Sequence, residues 1–184
     1  MKYIFKTAII LLFVNSGYAQ SKLFTKSAKI SFFSKTPMEN ISAVNNKAVS
    51  VWETSSGQIE FSVLIKGFEF ERALMQEHFN ENYMESDLYP KATFKGTVEN
   101  SGTLVFTKDN VYKVKINGSL TMHGVTKPVS VPATITIKGG AISASASFTV
   151  AAEDYNIRIP ALVADKISKQ ITVTADVPAY QNLK

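Results

Sequence analysis

The chain has no cysteine among its 184 residues. Disulfide stapling, thiol catalysis and cysteine-ligated metals are therefore excluded, and stability has to come from burial and backbone pairing. Histidine is nearly as scarce. His78 and His123 are the two, and no H-x-x-x-H or H-E-x-x-H spacing joins them. Also missing are a G-x-S-x-G serine elbow, a glycine-rich phosphate loop and a dinucleotide fingerprint, so no enzyme or cofactor motif is present. Charge of one sign is never concentrated. The 20 lysines and arginines are interspersed with 15 acids for a net +5, which leaves a nucleic-acid partner unsupported and gives at most a weak preference for an anionic head group. The one long apolar run is short and N-terminal, so no stable membrane insertion is expected.

That run has the three zones of an export signal. Lys2 and Lys6 precede the apolar stretch Ala8–Val14, and Gly17-Tyr18-Ala19 supplies small residues for cleavage after Ala19. No cysteine follows, so a lipid-anchored N-terminus is not expected. Loss of residues 1–19 removes two lysines and leaves a net +3 on residues 20–184. That remainder is one domain, long enough to bury about 70% of its unfolded surface. Its location is expected to be periplasmic or extracellular. With 45% hydrophobic and 19% charged residues, the chain has the composition of a packed globule. Nothing in it sets an oligomeric state.

What is present is alternation. From Tyr112 to Met122, Tyr112, Val114, Ile116, Gly118, Leu120 and Met122 share one face, while Lys113, Lys115, Asn117, Ser119 and Thr121 share the other. Period-two alternation of this kind marks an antiparallel strand with one dry face. The pattern recurs over 59–65, 92–98, 129–138, 142–150 and 171–177, and blurs over 30–34 and 48–53. Turn signals separate the runs: Ser55-Ser56-Gly57, Asn100-Ser101-Gly102, His123-Gly124 and Gly139-Gly140, the last a tight hairpin. Pro132, inside a strand, points to an edge, a bulge or a barrel rim.

Two segments depart from this. Leu74, Met75, His78, Phe79 and Tyr83 fall at helical spacing, so a helix is expected over about 71–84, without a good N-cap. Residues 154–165, around Pro160, read as irregular. Eight or nine strands plus one inserted helix fit an up-and-down barrel or a two-sheet sandwich, of which the barrel is preferred.

In a small barrel the inward residues fill the lumen or line a pocket. Here bulky inward residues (Phe61, Phe94, Tyr112, Phe148, Ile135) mix with very small ones (Ala92, Gly96, Gly118, Ala133, Ala144, Ala146, Ala175). Either the small ones leave room for an apolar chain, worth about 0.8 kcal/mol per buried methylene, or they suit the barrel's taper. The pattern alone leaves this even. For the histidines, a catalytic reading needs His78 and His123 to converge with Glu77, Glu81 or Glu85. The alternative is a packing histidine and a turn histidine.

Three stretches carry a family resemblance. Tyr89-Pro90-Lys91-Ala92-Thr93-Phe94 forms a Y-P-x-A-x-F element, and residues 118–129 (GSLTMHGVTKPV) form a G-x-L-T-x-x-G-V-T-K-P-V hairpin. Asp154-Tyr155-Asn156-Ile157 is a weaker third match. Together they resemble the YceI-like family of exported polyisoprenoid-binding proteins. Where that family carries a D-x-x-H-S element in its first hairpin, residues 30–36 (ISFFSKT) stand instead. The resemblance implies a mainly β fold, an antiparallel eight-stranded lipocalin-like barrel with one inserted helix. It also implies a non-enzymatic carrier holding an isoprenoid or other long-chain lipid inside the barrel. The candidate tunnel lining is then Ile59, Phe61, Val63, Phe94, Tyr112, Val114, Ile116, Leu120, Ile135, Phe148 and Val173, with no catalytic residue and no metal ligand. The competing readings are a ligand-free structural or adhesive β-domain and a His-dependent hydrolase.

Overall fold

The computed structural model of the protein describes residues 22–183, so the export signal expected over residues 1–19 lies outside the described residues. Eight long strands make the wall: β1 (Lys22–Lys35), β2 (Asn40–Glu53), β3 (Gln58–Leu64), β5 (Lys91–Val98), β6 (Asn110–Met122), β7 (Val125–Lys138), β8 (Ala141–Ala151) and β9 (Gln170–Val177). Two-residue strands β4 (Glu69–Phe70) and β10 (Gln181–Asn182) add to β2 and β1. Each long strand pairs antiparallel with the next, and β1 pairs with β9 over Lys29↔Asp176 to Phe33↔Thr172. The sheet therefore closes on itself as an up-and-down barrel, the expected fold.

The alternation read from the sequence is the in/out alternation of this wall. In β6, Ile116 and Leu120 are buried and every lysine is exposed. β7 follows with Val131, Ala133, Ile135 and Ile137 buried. Gly139 and Gly140 both have positive φ, as a two-residue hairpin between right-twisted strands requires. Pro132 stands opposite Lys115 of β6, one residue before β7 begins to pair with β8 at Ala133↔Ala146. Its missing N–H is thus not needed by β8.

The blurred region has a physical cause. In β1, Leu23 and Thr25 are buried, then Ala28 and Ser34, with Lys26 and Ser27 both exposed between them. In β2, Ala43 and Asn45 are buried, then Ala48, Ser50 and Trp52, with Asn46 and Lys47 both exposed. The β1–β2 register shifts on both sides of Ala28. An extra residue in each strand reverses the phase of the pattern. Side chains occupy the gap: Thr25 Oγ1 accepts the Ser27 N–H at 3.2 Å, and Asn45 Oδ1 accepts the Lys47 N–H at 2.9 Å while its Nδ2 donates to the Leu64 carbonyl at 2.9 Å.

The inserted helix is shorter than expected. It runs as α1 (Ala73–His78) and continues as a wider π turn over Phe79–Tyr83. Arg72 at its N-cap is extended and caps nothing with its side chain. No helix among the described residues is long and apolar enough to cross a membrane.

At the barrel end away from α1, Trp52 packs with Phe106 and Tyr180 at ring distances of 5.7 and 5.8 Å, over Leu23, Val98, Leu104 and Val177. The Tyr180 hydroxyl bonds Ser50 Oγ at 2.9 Å, and burial pushes its pKa up to about 12, against the smaller lowering by Ser50. The neutral phenol is therefore favoured in the folded state. Its contribution is complete below pH ~10, the unfolded value, and falls as pH rises toward 12, a loss of about 2 to 3 kcal/mol. Tyr180→Phe is expected to flatten that alkaline loss at a cost of about 1 kcal/mol near neutrality; urea unfolding at pH 8, 10 and 11.5 measures both.

Candidate functional site

Above that packed floor the barrel holds a partly open cavity of about 560 Å³. This lies within the range of small-ligand sites, and is several times the ~150 Å³ hole that admits a benzene ring. Of the eleven candidate lining residues, Ile59, Phe61, Val63, Phe94, Ile116, Leu120, Phe148 and Val173 lie on its wall. Tyr112, Val114 and Ile135 do not. Ile135 is 2% exposed inside the floor cluster, and Tyr112 and Val114 pack against that cluster from β6. The Tyr112 hydroxyl accepts the Val105 N–H at 3.1 Å. Asn110 first, then Val105, holds its pKa below the ordinary tyrosine value.

The small residues divide in two. Ala92, Ala133, Ala144, Ala146 and Ala175 all line the cavity. Ala133, Ala146 and Ala175 face one another across β7, β8 and β9 and make one shallow strip. Gly96 and Gly118, also cross-strand partners, behave otherwise: the Phe94 ring lies over both, with Cζ 2.6 and 2.8 Å from where their Cβ atoms would be. The glycines seat an aromatic ring, and the alanines leave the space.

Opposite the floor, α1 and the π turn cover the cavity with Leu74, Met75, His78, Phe79 and Tyr83. Beneath them Phe32, Phe68, Phe70 and Phe79 form an aromatic cluster with centroids 5.0 to 5.7 Å apart, and all four reach the cavity. The irregular segment after β8 is the other cover, with Ile157, Ile159, Val163, Lys166 and Ile167 on the lining. The sequence reading found the helical stripe but missed these aliphatics and the aromatic cluster. Their spacing follows neither period two nor period 3.6, because they hang from turns and bulged strands.

The two covers meet at His123. This residue is 8% exposed in the β6–β7 turn; its Nε2 lies 2.8 Å from Glu85 Oε2 and its Nδ1 3.0 Å from the Tyr155 carbonyl. Both ring nitrogens are thus engaged, one by a side chain and one by the backbone. The Tyr89 ring stands edge-on at 4.6 Å and covers Gly124. Burial first, then Asp154, raises the Tyr155 pKa. All three motif stretches of the sequence thus converge on one clamp. His78 lies apart, at the cavity, so the two histidines do not form a common site with a carboxylate. Among the described residues no three His, Asp or Glu side chains are grouped to hold a metal.

Polar groups line the cavity mainly at the covered end, where β1 ends and β2 begins: Ser34, Glu39, Arg72, His78 and Lys166. Arg72 pairs with Glu39. The rest of the wall is almost wholly hydrocarbon. Such a chamber can take up an apolar chain; among the described residues no hydrogen bond joins His78 to Ser34 or Ser145 of the lining.

A family model described as YceI-like domain matches residues 20–179. Among solved structures, a polyisoprenoid binding domain from Saccharophagus degradans, implicated in plant cell wall breakdown, aligns with a TM-score of 0.74 at 14% identity, covering 89% of this chain and 99% of that one. Burkholderia cenocepacia BcnA aligns with a TM-score of 0.70 at 15% identity, over 84% and 96%. A Campylobacter jejuni YceI protein aligns at 0.53 and 20%, over 75% and 81%. No curated protein gives a match.

Proposed function

The chain belongs to the family of YceI-like domains, and from that premise we propose that it binds a long-chain lipid, an isoprenoid or an amphiphile of similar shape, and carries it unchanged outside the cytoplasmic membrane. The observation that carries this reading is the cavity of about 560 Å³ with its hydrocarbon wall. In liquid water such a volume holds roughly twenty molecules, and a tail of a similar number of methylene-sized groups fits it. The eight wall residues among the candidates, from Ile59 to Val173, are the tail contacts in this reading. Residues 1–19 are the export signal and 20–184 the binding unit. The relation to a structure described as a polyisoprenoid binding domain supports the same ligand class.

A ligand-free structural domain accounts less well for the cavity. Packed interiors leave few voids larger than a water molecule, and a space of about 560 Å³ is not what ordinary core packing leaves. A hydrolase reading has no free base at His123, both of whose nitrogens are engaged.

The test is mass spectrometry of an organic extract from protein purified out of its native envelope fraction. A long-chain isoprenoid or related amphiphile at about one per chain is expected. Lipid-free protein that also fails to take up quinones or polyprenyl phosphates on incubation would return the fold to a structural role.

A further inference from the structure

The hydrocarbon wall does not discriminate between lipids; discrimination has to come from the polar end of the cavity. Ser34, at the end of β1, is 2% exposed and lines the cavity. Its Oγ accepts the Ser168 N–H at 2.8 Å, and its own hydroxyl proton has no acceptor among the described residues. That proton is a buried, unspent donor at the cavity wall.

Two cations line the cavity from the two covers. The Ser34–Ser168 bond brings the segment carrying Lys166 onto the end of β1, and Lys166 lines the cavity with no ion pair among the described residues. Arg72 reaches the β1–β2 turn from the start of α1, where one terminal nitrogen meets Glu39 and Met75 Sδ. Its other donors remain available. Glu39 is 24% exposed at its side chain and is held in the turn by Thr36 Oγ1, which accepts its N–H at 3.0 Å. The lining at this end therefore carries two cations, both of them exposed, one carboxylate and a buried hydroxyl donor: one positive charge in excess.

We propose that this end of the cavity is a head-group site for an oxyanion, the phosphate or carboxylate of an amphiphile whose tail occupies the hydrocarbon chamber. Arg72 and Lys166 supply charge-assisted hydrogen bonds and Ser34 a neutral one. Glu39 holds Arg72 in place and at the same time competes with the ligand for it. The inference rests on the lipid reading, and it selects an anionic lipid over a neutral quinone or alcohol of the same tail.

The test uses a matched pair, geranylgeranyl phosphate and geranylgeraniol, titrated below their aggregation limits into the protein lacking residues 1–19, with inorganic phosphate as a third ligand. Wild type is expected to bind the phosphate lipid at least tenfold more tightly than the alcohol, and inorganic phosphate far more weakly than either. Arg72→Gln with Lys166→Gln should bring the phosphate lipid down to the level of the alcohol and leave the alcohol unchanged. Glu39→Gln should widen the preference for phosphate, a gain that misfolding cannot imitate. Equal binding of both lipids by wild type overturns the head-group site and leaves the lipid reading standing. Binding of neither overturns both, and binding of inorganic phosphate as tightly as the lipid makes the site one for a free anion.

Discussion

Ala146→Trp is expected to abolish lipid uptake while the barrel stays folded. Ala146 sits in the middle of the alanine strip, between Ala133 of β7 and Ala175 of β9, and its Cβ looks into the cavity. An indole placed there has room to enter without displacing a packed neighbour, so the overpacking cost of about 1 to 3 kcal/mol is largely avoided. It takes up space that the proposed tail needs. Lipid affinity should fall at least a hundredfold, whereas the unfolding midpoint should move by no more than about 4 °C, the equivalent of roughly 1 kcal/mol at this size. Ser147→Trp, one residue on and exposed on the outer face, is the control and should bind as wild type does. Unchanged lipid binding by Ala146→Trp, measured by titration with a fluorescent isoprenoid, would mean that the ligand lies elsewhere.

Gly118→Val should do the opposite and break the fold. A Cβ at Gly118 would lie 2.3 Å from the Lys95 carbonyl oxygen and 2.7 Å from Gly96 Cα, both backbone atoms. Neither can turn aside as a side chain would, so β5 and β6 must separate over the pairs around Gly96↔Gly118. A loss of about 3 kcal/mol or more is expected, a large share of a typical domain's stability. Gly96→Ala makes the informative contrast. Its added Cβ meets Phe94 Cζ at 2.6 Å and Cε1 at 2.8 Å, with the Asn117 carbonyl at 2.9 Å. Phe94→Leu in the same chain should therefore recover much of the Gly96→Ala loss and little of the Gly118→Val loss. A double-mutant cycle by urea unfolding separates the two. If Phe94→Leu rescues both equally, the ring and not the backbone is the obstacle at Gly118.

How far the sequence could be read depended on whether each strand keeps one phase. In β5 to β9 it does, and most of the inward face there follows from alternation, whereas alternation left a barrel and a sandwich both open and the eight-stranded barrel came from the family resemblance. In β1 and β2 the doubled exposed pairs, Lys26-Ser27 and Asn46-Lys47, reverse the phase mid-strand. Ile30, Phe32 and Ile41 were thus hidden as lining residues. Depth along a strand was not legible either. Tyr112, Val114 and Ile116 share a face, yet only Ile116 stands high enough to reach the cavity. Alternation assigns a side to a residue and says nothing of its height. The motif stretches were informative about family, and the structure gives them a mechanical role: Tyr89, His123 and Tyr155 tie the two covers to the barrel. Charged residues at the cavity came from the irregular segments, where neither period applies.

The closing seam between β1 and β9 has a consequence for how the molecule comes into being. Its pairs join residues 29–33 to residues 172–176, almost the two ends of the described chain. Contacts so remote in sequence bring a large loop-closure cost before they return any stability, and folds dominated by them form slowly. Until the last long strand docks, β8 and part of β1 are unprotected edges on a sheet whose inner face is hydrocarbon, a combination that pairs readily with another chain. A chain cut short before residue 170 is therefore not a carrier with a leaky wall. It is an open, adhesive sheet, and the same apolar surface that lines the cavity in the finished barrel becomes the surface by which unfinished copies stick to one another.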